Sequence, residues 1–454
     1  MIEKAFSYRS HLIQAILAKS SFGRRILDYF RRNNLSYRIL NESSWFLVAN
    51  LIFSASTYMV GILVPYLLNT DYMAYLSAGN QIVMVLAIIL EFGISISFLR
   101  FYQIDKDAIY IFSILQVMML LLIIVIMFFF ADEVNYLFNI HQIPVDVKLF
   151  YIIIIGQYGW GFIKTWLLAT NQVKSITVHA VIISVLRLVS LIYLYMLGDF
   201  SLTQLLLATL LFPFIPSLIH QTYLTAMVLI KGIPLLKDLN RKKTRGFLIK
   251  IYDYLQFSLF TYLANFIFLY TGRYLMIYLT GKNNAALADL GYAMTFLGIV
   301  LVFYTTIRNY LVARLSKNNS EFIFSYLKGL KSLMKYILVG FFILSLLLSW
   351  LIMLIKPGYL SQNTGIFAFI FFLATFINAY IGLFTVLSKT YDYNKTELLL
   401  NGIRFLAVVA ITNFVVKSNI ILGVVLINIA MVLVEFIFAR IILKRIAVLY
   451  EKTV

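Results

Sequence analysis

The sequence predicts a polytopic all-α membrane protein. The chain has 454 residues, of which 62% are hydrophobic and 13% are charged, and its mean hydropathy is +0.90. A soluble fold does not need that much apolar surface. Apolar windows of roughly 20 residues, the length that crosses a bilayer, recur along the whole chain. We therefore expect twelve transmembrane helices, at about 44–67, 80–99, 108–130, 147–170, 176–197, 204–230, 254–279, 288–313, 334–356, 364–388, 397–416 and 420–439.

One long hydrophilic interruption divides these spans into two sets of six. Residues 231–253 carry seven Lys and Arg and form a predicted cytoplasmic linker. Because six is even, both halves start on the same side of the membrane, so any internal repeat must be parallel. We predict two six-helix bundles around a central cavity, at 44–230 and 254–445, followed by a cytoplasmic tail at 446–454.

Lys and Arg are concentrated on one side of the predicted membrane. If the N-terminus is cytoplasmic, the inner segments hold 29 of the 38 basic residues and the outer connections hold only four. The positive-inside rule then places both termini in the cytoplasm. The net charge of +19 is therefore explained by the membrane topology and by contact of the basic residues with anionic membrane lipids. We expect no nucleic-acid partner.

Residues 1–43 precede the first span and hold eight basic residues. Their apolar stretch is too short, and too closely followed by further basic residues, for a cleavable signal. Two interpretations stay open: a basic amphipathic segment on the inner membrane face, or a disordered cytoplasmic tail.

Five basic side chains lie inside predicted spans, which is an unfavourable position. A cation near the bilayer centre costs at least ~2.5–3.5 kcal/mol, so it normally faces a water-filled cavity, a counter-charge or an anionic cargo. This pattern indicates a transporter with a cationic interior. The five residues are Lys164, Arg187, Arg273, Arg308 and Arg404.

Polar and acidic residues within the spans indicate which helix faces turn inward. The predicted cavity-lining residues are Asn50, Ser54, Thr57, Asn265, Asn378 and Asn401. Such stripes also mark close helix packing, so this alternative stays open. Glu91 and Glu435 are each either a counter-charge for an arginine or a proton-exchanging, ion-coupling carboxyl group. Pro213 and Pro216 predict a kink in the sixth span.

Other chemistry finds no support in the sequence. There is no Walker-type phosphate loop, no metal-ligand spacing of the HExxH or CxxC kind, and no cysteine. The predicted outer connections are short, whereas a membrane enzyme of glycan assembly usually carries its catalytic groups on a sizeable loop or domain. We therefore expect a carrier without cofactor, metal or catalytic residues.

The chain also resembles a known family. The similarity extends over roughly 44–445 and is carried by the run 60–102, the stretch 166–191 and the overall layout. Its particular points are Pro65, Tyr75, Glu91–Phe92–Gly93, Arg100, Arg187 and Gly272–Arg273. In these features the chain resembles the polysaccharide repeat-unit flippases, of the O-antigen and capsule type, in the multidrug/oligosaccharidyl-lipid/polysaccharide exporter superfamily.

The resemblance implies a function and a location. It implies alternating-access transfer of an undecaprenyl-diphosphate-linked oligosaccharide across the bacterial inner membrane, with a polysaccharide polymerase and a chain-length regulator as further partners. Because arginines bind anionic groups strongly, Arg187, Arg404 and Arg273 would hold the headgroup or glycan, with Lys164 and Arg308 in secondary roles.

Three alternatives remain at this stage. A flippase for the peptidoglycan precursor lipid II carries the same diphosphate lipid, and the sequence separates the two poorly. A multidrug antiporter of the same superfamily would export mostly cations, which five cations against two acids within the spans disfavour. A membrane enzyme of glycan assembly is the third.

Overall fold

The computed structural model of the chain describes residues 49, 52–57, 59–91, 94–104, 108–170, 172–237, 241–298, 300–301, 304, 308, 320–386 and 393–451. All regular secondary structure in these ranges is helical. The predictions for residues 1–43 and for Asn50 lie outside the described residues, and so does the side chain of Glu91.

The N-terminal half follows the predicted spans, with an earlier start to the second. Its helices are α1 (Ile52–Leu67), α2 (Thr70–Glu91), α3 (Ile94–Ile104), α4 (Ala108–Phe129), α5 (Ala131–Leu137), α6 (Val147–Ala169), α7 (Val173–Leu197), α8 (Leu202–Leu206) and α9 (Ile215–Lys237). Between α8 and α9 the chain forms a π-helical turn and then the 3₁₀ turn Phe212–Phe214. This irregular stretch lies at the predicted kink, because Pro213 cannot donate a backbone hydrogen bond.

The C-terminal half contains long helices that extend beyond the apolar windows. Its helices are α10 (Arg241–Leu279), α11 (Asn284–Thr295), α12 (Ser320–Ile355), α13 (Asn363–Thr385), α14 (Asn394–Ile411) and α15 (Ile420–Glu451). Every described residue of the predicted linker at 231–253 is helical, since α9 continues to Lys237 and α10 begins at Arg241.

Eight helices in the described part of the chain are long and apolar enough to cross a membrane, so this is a multi-pass membrane protein. The remaining predicted spans are the first, second, seventh and eighth, which correspond to α1, α2, α10 and α11. These four helices occupy equivalent positions in the two halves. They include segments that are more polar than the eight apolar helices. Among them, α2 packs against both α10 and α11.

The contact between α2 and α11 joins the two halves at very short range. A methyl group added at Gly291 would lie 1.9 Å from Ser77 Oγ and 2.2 Å from Ser77 Cβ. Gly61 of α1 is similarly close to Thr295, whose Cγ2 would lie 2.3 Å from an added Cβ. The halves therefore approach each other through small residues, as membrane helices commonly do.

We expect Gly291→Ala to destabilise the protein. Because rotation of the Ser77 side chain cannot move its Cβ, α2 and α11 must separate, and such overpacking typically costs about 1–3 kcal/mol. Thermal unfolding of the purified protein measures this. Gly340→Ala is the matched control, since an added Cβ there meets nothing within 4 Å. Ser77→Gly should restore the Gly291→Ala protein, and equal unfolding temperatures for the two alanine variants would contradict the packing described.

Hydrogen bonds also join the halves on the predicted outer side. The Tyr66 hydroxyl donates to the carbonyl oxygen of Ile355 at 2.5 Å. In the other direction, the Tyr359 hydroxyl donates to the carbonyl oxygen of Pro65 at 2.9 Å. We call Tyr66 and Tyr359 the outer latch. In this conformation the two bonds hold these ends of the halves, predicted to be the outer ones, together.

Candidate functional site

Arg187 lies on α7 and bonds only to neutral groups. Its side chain is 7% exposed. Nη1 donates to the Phe53 carbonyl oxygen at 3.0 Å, to Ser56 Oγ at 3.2 Å and to Thr57 Oγ1 at 2.5 Å. All three partners belong to α1, so the predicted polar face of the first span, including Thr57, contacts this arginine.

Two aromatic rings complete the surroundings of Arg187. The guanidinium carbon lies 4.2 Å from the centre of the Phe53 ring and 5.2 Å from that of Phe214, distances typical of cation–π contacts. Phe214 belongs to the irregular turn between α8 and α9. Nε and Nη2 of Arg187 make no hydrogen bond to the described residues and are not fully enclosed. No carboxylate in the described part forms an ion pair with this cation.

Arg404, on α14, has a carboxylate partner. Its Nη2 donates to Glu435 Oε2 at 2.7 Å, and the other carboxylate oxygen accepts a bond from Thr385 Oγ1 at 2.9 Å. The arginine is 1% exposed, and its Nε and Nη1 have no hydrogen-bond partner in the described part. Glu435 is thus the counter-charge of Arg404 in this structure, and only one of the three guanidinium nitrogens is satisfied.

A wider charged network surrounds this ion pair. Tyr304 interacts electrostatically with Arg308, Glu397, Glu435 and Arg404. The guanidinium carbon of Arg308 lies 6.0 Å from the Tyr304 ring centre. The structure therefore brings the predicted residues Arg308, Arg404 and Glu435 together within the C-terminal half.

Two of the predicted amides border this network. A Cβ added at Gly382 would lie 2.2 Å from Tyr304 Oη, and Asn378 lies one turn earlier on the same helix, with an enclosed Oδ1 that has no partner in the described part. Asn401 instead has a structural contact, because its Nδ2 donates to the Ala264 carbonyl oxygen at 2.8 Å and joins α14 to α10.

Arg273 lies between the two halves. Its Nη1 donates to the Leu269 carbonyl oxygen at 3.2 Å, and its Nη2 lies 3.3 Å from Met84 Sδ on α2. Nε is enclosed and has no partner among the described residues. Like Arg187, this arginine has no carboxylate partner in the described part of the chain.

The remaining predicted residues lie at separate positions. Lys164 is half-buried on α6, Ser54 is buried on α1, and Asn265 is half-buried on α10. Two shallow surface depressions of the described chain lie elsewhere. One is on α15 around Arg440 and Lys444, and the other is lined by the connection between α1 and α2 and by the connection before α8. Neither contains a predicted site residue.

Sequence reasoning missed Phe53, Phe214 and Tyr304, which contact the arginines. Aromatic residues are so frequent in this chain, at 16%, that no single one is conspicuous. The sequence also gives no sign of a histidine pair, in which His220 Nδ1 lies 2.7 Å from His179 Nε2 and the two rings stack. No spacing rule predicts a contact between different helices.

Comparison with known proteins identifies the fold. No protein-family model and no curated protein matches the chain, but solved structures do. An inward-facing multidrug resistance MATE family transporter of the MOP superfamily has a TM-score of 0.59 and 15% identity, over 89% of this chain and 96% of that chain. The lipid II flippase MurJ, in an inward closed conformation, has a TM-score of 0.55 and 15% identity, over 89% and 87%.

A third match concerns a protein with an altered pocket. A MOP superfamily transporter from Pyrococcus furiosus has a TM-score of 0.53 and 17% identity, over 91% of this chain and 96% of that one, and its binding pocket is described as having reversed polarity. The chain therefore has the fold of MOP superfamily transporters. Its structural neighbours are transporters and flippases, not enzymes.

Proposed function

We propose that this protein is a flippase that moves an undecaprenyl-diphosphate-linked oligosaccharide repeat unit across the bacterial inner membrane by alternating access. The observation that carries the proposal is Arg187, a cation in a membrane span with neutral partners and two nitrogens without a hydrogen bond to the described residues. Such a group binds an anion strongly, because a charge-assisted bond in a weakly polar site is roughly twice as strong as a neutral one.

The other cations extend this argument. Arg273, between the halves, also lacks a carboxylate partner in the described chain, and Arg404 has two enclosed nitrogens that no described residue bonds. A diphosphate presents several oxygens to such donors, which arginine can bind in a bidentate manner. The polar head would cross between the halves while the polyprenyl tail stays in the bilayer. Lys164 and Arg308 would have secondary roles.

Alternating access requires the contacts between the halves to break and re-form. The outer latch consists of two hydroxyl-to-carbonyl bonds, each worth only about 0.5–1.5 kcal/mol. These bonds can open when cargo binds. We propose that the described conformation is closed outside, and that the cavity predicted between the halves opens first toward the cytoplasm. Both termini are predicted to lie on that side, where the lipid-linked cargo would be taken up.

Lipid II transport is the second candidate. The similarity to the lipid II flippase MurJ favours it, and both cargoes share the diphosphate that the arginines would bind. A multidrug antiporter is less well supported, because cationic cargo would be repelled by Arg187 and Arg273. If the repeat unit is the cargo, a polysaccharide polymerase and a chain-length regulator would act on the product at the outer face.

Reconstitution into liposomes tests the proposal. Undecaprenyl diphosphate bearing an oligosaccharide is placed in both leaflets, and its exposure to a membrane-impermeant lectin is followed with time. We expect the purified protein to make the protected half accessible, and to do so faster than it does for lipid II. A zwitterionic phospholipid with a fluorescent head is the control and should not move. Faster movement of lipid II would select the second candidate, and no movement of either diphosphate lipid would refute both.

A further inference from the structure

One face of α10 carries aromatic residues at every fourth position. Neighbouring ring centres are separated by 6.0, 5.7, 6.0 and 6.3 Å. Sixteen residues of helix correspond to about 24 Å, most of the thickness of the hydrocarbon core. We call this series the aromatic ladder; its members are Tyr262, Phe266, Tyr270, Tyr274 and Tyr278.

The ladder is accessible and partly polar. All five side chains are half-buried. The hydroxyls of Tyr270 and Tyr274 make no hydrogen bond to the described residues, and neither is fully enclosed. A hydroxyl without a partner in hydrocarbon is unfavourable, so hydroxyls at this depth indicate a hydrated space in preference to lipid.

The ladder lies on the same helix as one candidate cation, because Arg273 immediately precedes Tyr274. Phe405 of α14 extends the aromatic surface, with its ring centre 5.7 Å from that of Tyr270 and 5.9 Å from that of Tyr274. Arg404 itself lies on the other side of α10, where its guanidinium carbon is 4.8 Å from the centre of the Phe268 ring. A ligand whose anionic group is held by Arg273 would place its remaining part against the rings.

The ladder also lies where the two halves meet. Phe138, in the turn after α5, approaches Tyr270 edge to face, with ring centres 6.0 Å apart. Asn139 Nδ2 donates to the Ile277 carbonyl oxygen on α10 at 3.0 Å. The helix carrying the rings thus borders the interface that must open in alternating access.

We propose that the aromatic ladder binds the sugar rings of the transported lipid, one ring after another, as the glycan moves along α10. This inference rests on the proposed function. The apolar C–H face of a pyranose packs on the electron-rich face of an aromatic ring, while its hydroxyls bond to the hydroxyls of Tyr270 and Tyr274. The ring spacing is comparable to the length of one sugar unit. Because each aromatic ring offers a similar contact, the glycan can move from one ring to the next without being held tightly at one position. Such contacts also accept different sugars.

A binding experiment tests the ladder separately from transport. The affinity of the purified full-length protein is measured for undecaprenyl diphosphate and for the same lipid bearing a tetrasaccharide. We expect the wild-type protein to bind the glycosylated lipid about tenfold more tightly. The double variant Tyr270→Leu, Tyr274→Leu, which keeps an apolar side chain at each position but removes two rings, should lose this gain and still bind the bare lipid as wild type does. Replacement of both tyrosines by Phe should keep most of the gain.

Tyr336→Leu is the matched control, because Tyr336 is a 72% exposed tyrosine on α12, and it should behave as wild type. The ladder proposal is overturned if the tetrasaccharide does not raise the affinity of the wild-type protein, or if the leucine variant still binds the glycosylated lipid more tightly. It is also overturned if the leucine variant binds both lipids equally more weakly, because that is the result of a purely structural role. The protein could also bind the glycosylated lipid more tightly through the ladder and yet move no lipid in liposomes. That result would refute the proposed function but support the sugar-binding site.

Discussion

Arg187→Ala is expected to slow transport severely while leaving the protein folded in the membrane. Loss of charge-assisted bonds to an anionic head, about 1.5–3 kcal/mol, corresponds to a roughly 10- to 100-fold slower rate. The fold should tolerate the change, since Ser56 and Thr57 each already donate to the Phe53 carbonyl oxygen at 2.8 and 2.9 Å. Removal of the arginine therefore leaves no buried donor without a partner in α1.

The measurement is surface glycan in a host that lacks its own copy, together with the protein level in membranes. Arg187→Lys keeps the charge but not the planar fork, so it should retain part of the activity. Ser184→Ala is the control: Ser184 lies one turn away on α7 and donates to the Ile52 carbonyl oxygen at 3.2 Å, so it contacts α1 without carrying charge. Full surface glycan with Arg187→Ala would remove Arg187 from the mechanism.

Glu435→Ala is expected to destabilise the protein by about 3–5 kcal/mol, because it leaves the Arg404 cation buried without a counter-charge. Thr385→Val removes the bonds from its hydroxyl to Glu435 and to the Gly382 carbonyl oxygen but keeps the ion pair, so it should cost less, about 1.5–3 kcal/mol. Thermal unfolding in detergent compares the two variants. Equal unfolding temperatures for Glu435→Ala and wild type would show that the ion pair is not needed to hold Arg404 in place.

The double variant Arg404→Met, Glu435→Leu separates stability from transport. Replacement of both members of a buried ion pair by apolar residues of similar size is often neutral or stabilising, so we expect near wild-type stability. Transport should nevertheless be lost, because Arg404 is proposed to bind the headgroup. A stable double variant with normal transport would restrict Arg404 and Glu435 to a structural role.

Many of the membrane-spanning helices could be predicted from hydropathy, but helix ends could not. The second span was predicted to begin at residue 80, whereas α2 begins at Thr70. Its first ten residues are more polar because part of this segment packs against α11 in place of lipid. In the same way, α10 begins at Arg241, thirteen residues before its apolar window. Hydropathy measures contact with lipid, so it misses helix that contacts protein or water.

The candidate site was only partly visible in the sequence. The cost of an intramembrane cation singled out Arg187 and Arg404, and the polar face of the first span included Thr57, a partner of Arg187. Which carboxylate meets which arginine depends on helix packing, so Glu435 could be assigned two roles but not a partner. The aromatic ladder follows an i, i+4 pattern, but similar patterns of large apolar residues are ordinary helix packing. Its position beside Arg273 and Phe405, which only the structure reveals, is what suggests a role in ligand binding.

Chemical labelling tests the central claim, that a hydrated and electropositive passage lies between the two halves. The chain contains no cysteine, so a single cysteine at Thr57 or Asn265, both half-buried, reports on its own surroundings, and Leu347→Cys on α12, 57% exposed, reports on the lipid face. We expect a negatively charged methanethiosulfonate to modify Thr57→Cys and Asn265→Cys about tenfold faster than a positively charged one. This preference should decrease when Arg187 is replaced by alanine, and Leu347→Cys should react with neither. Unreactive cysteines at 57 and 265, or faster reaction with the cationic reagent, would contradict the account.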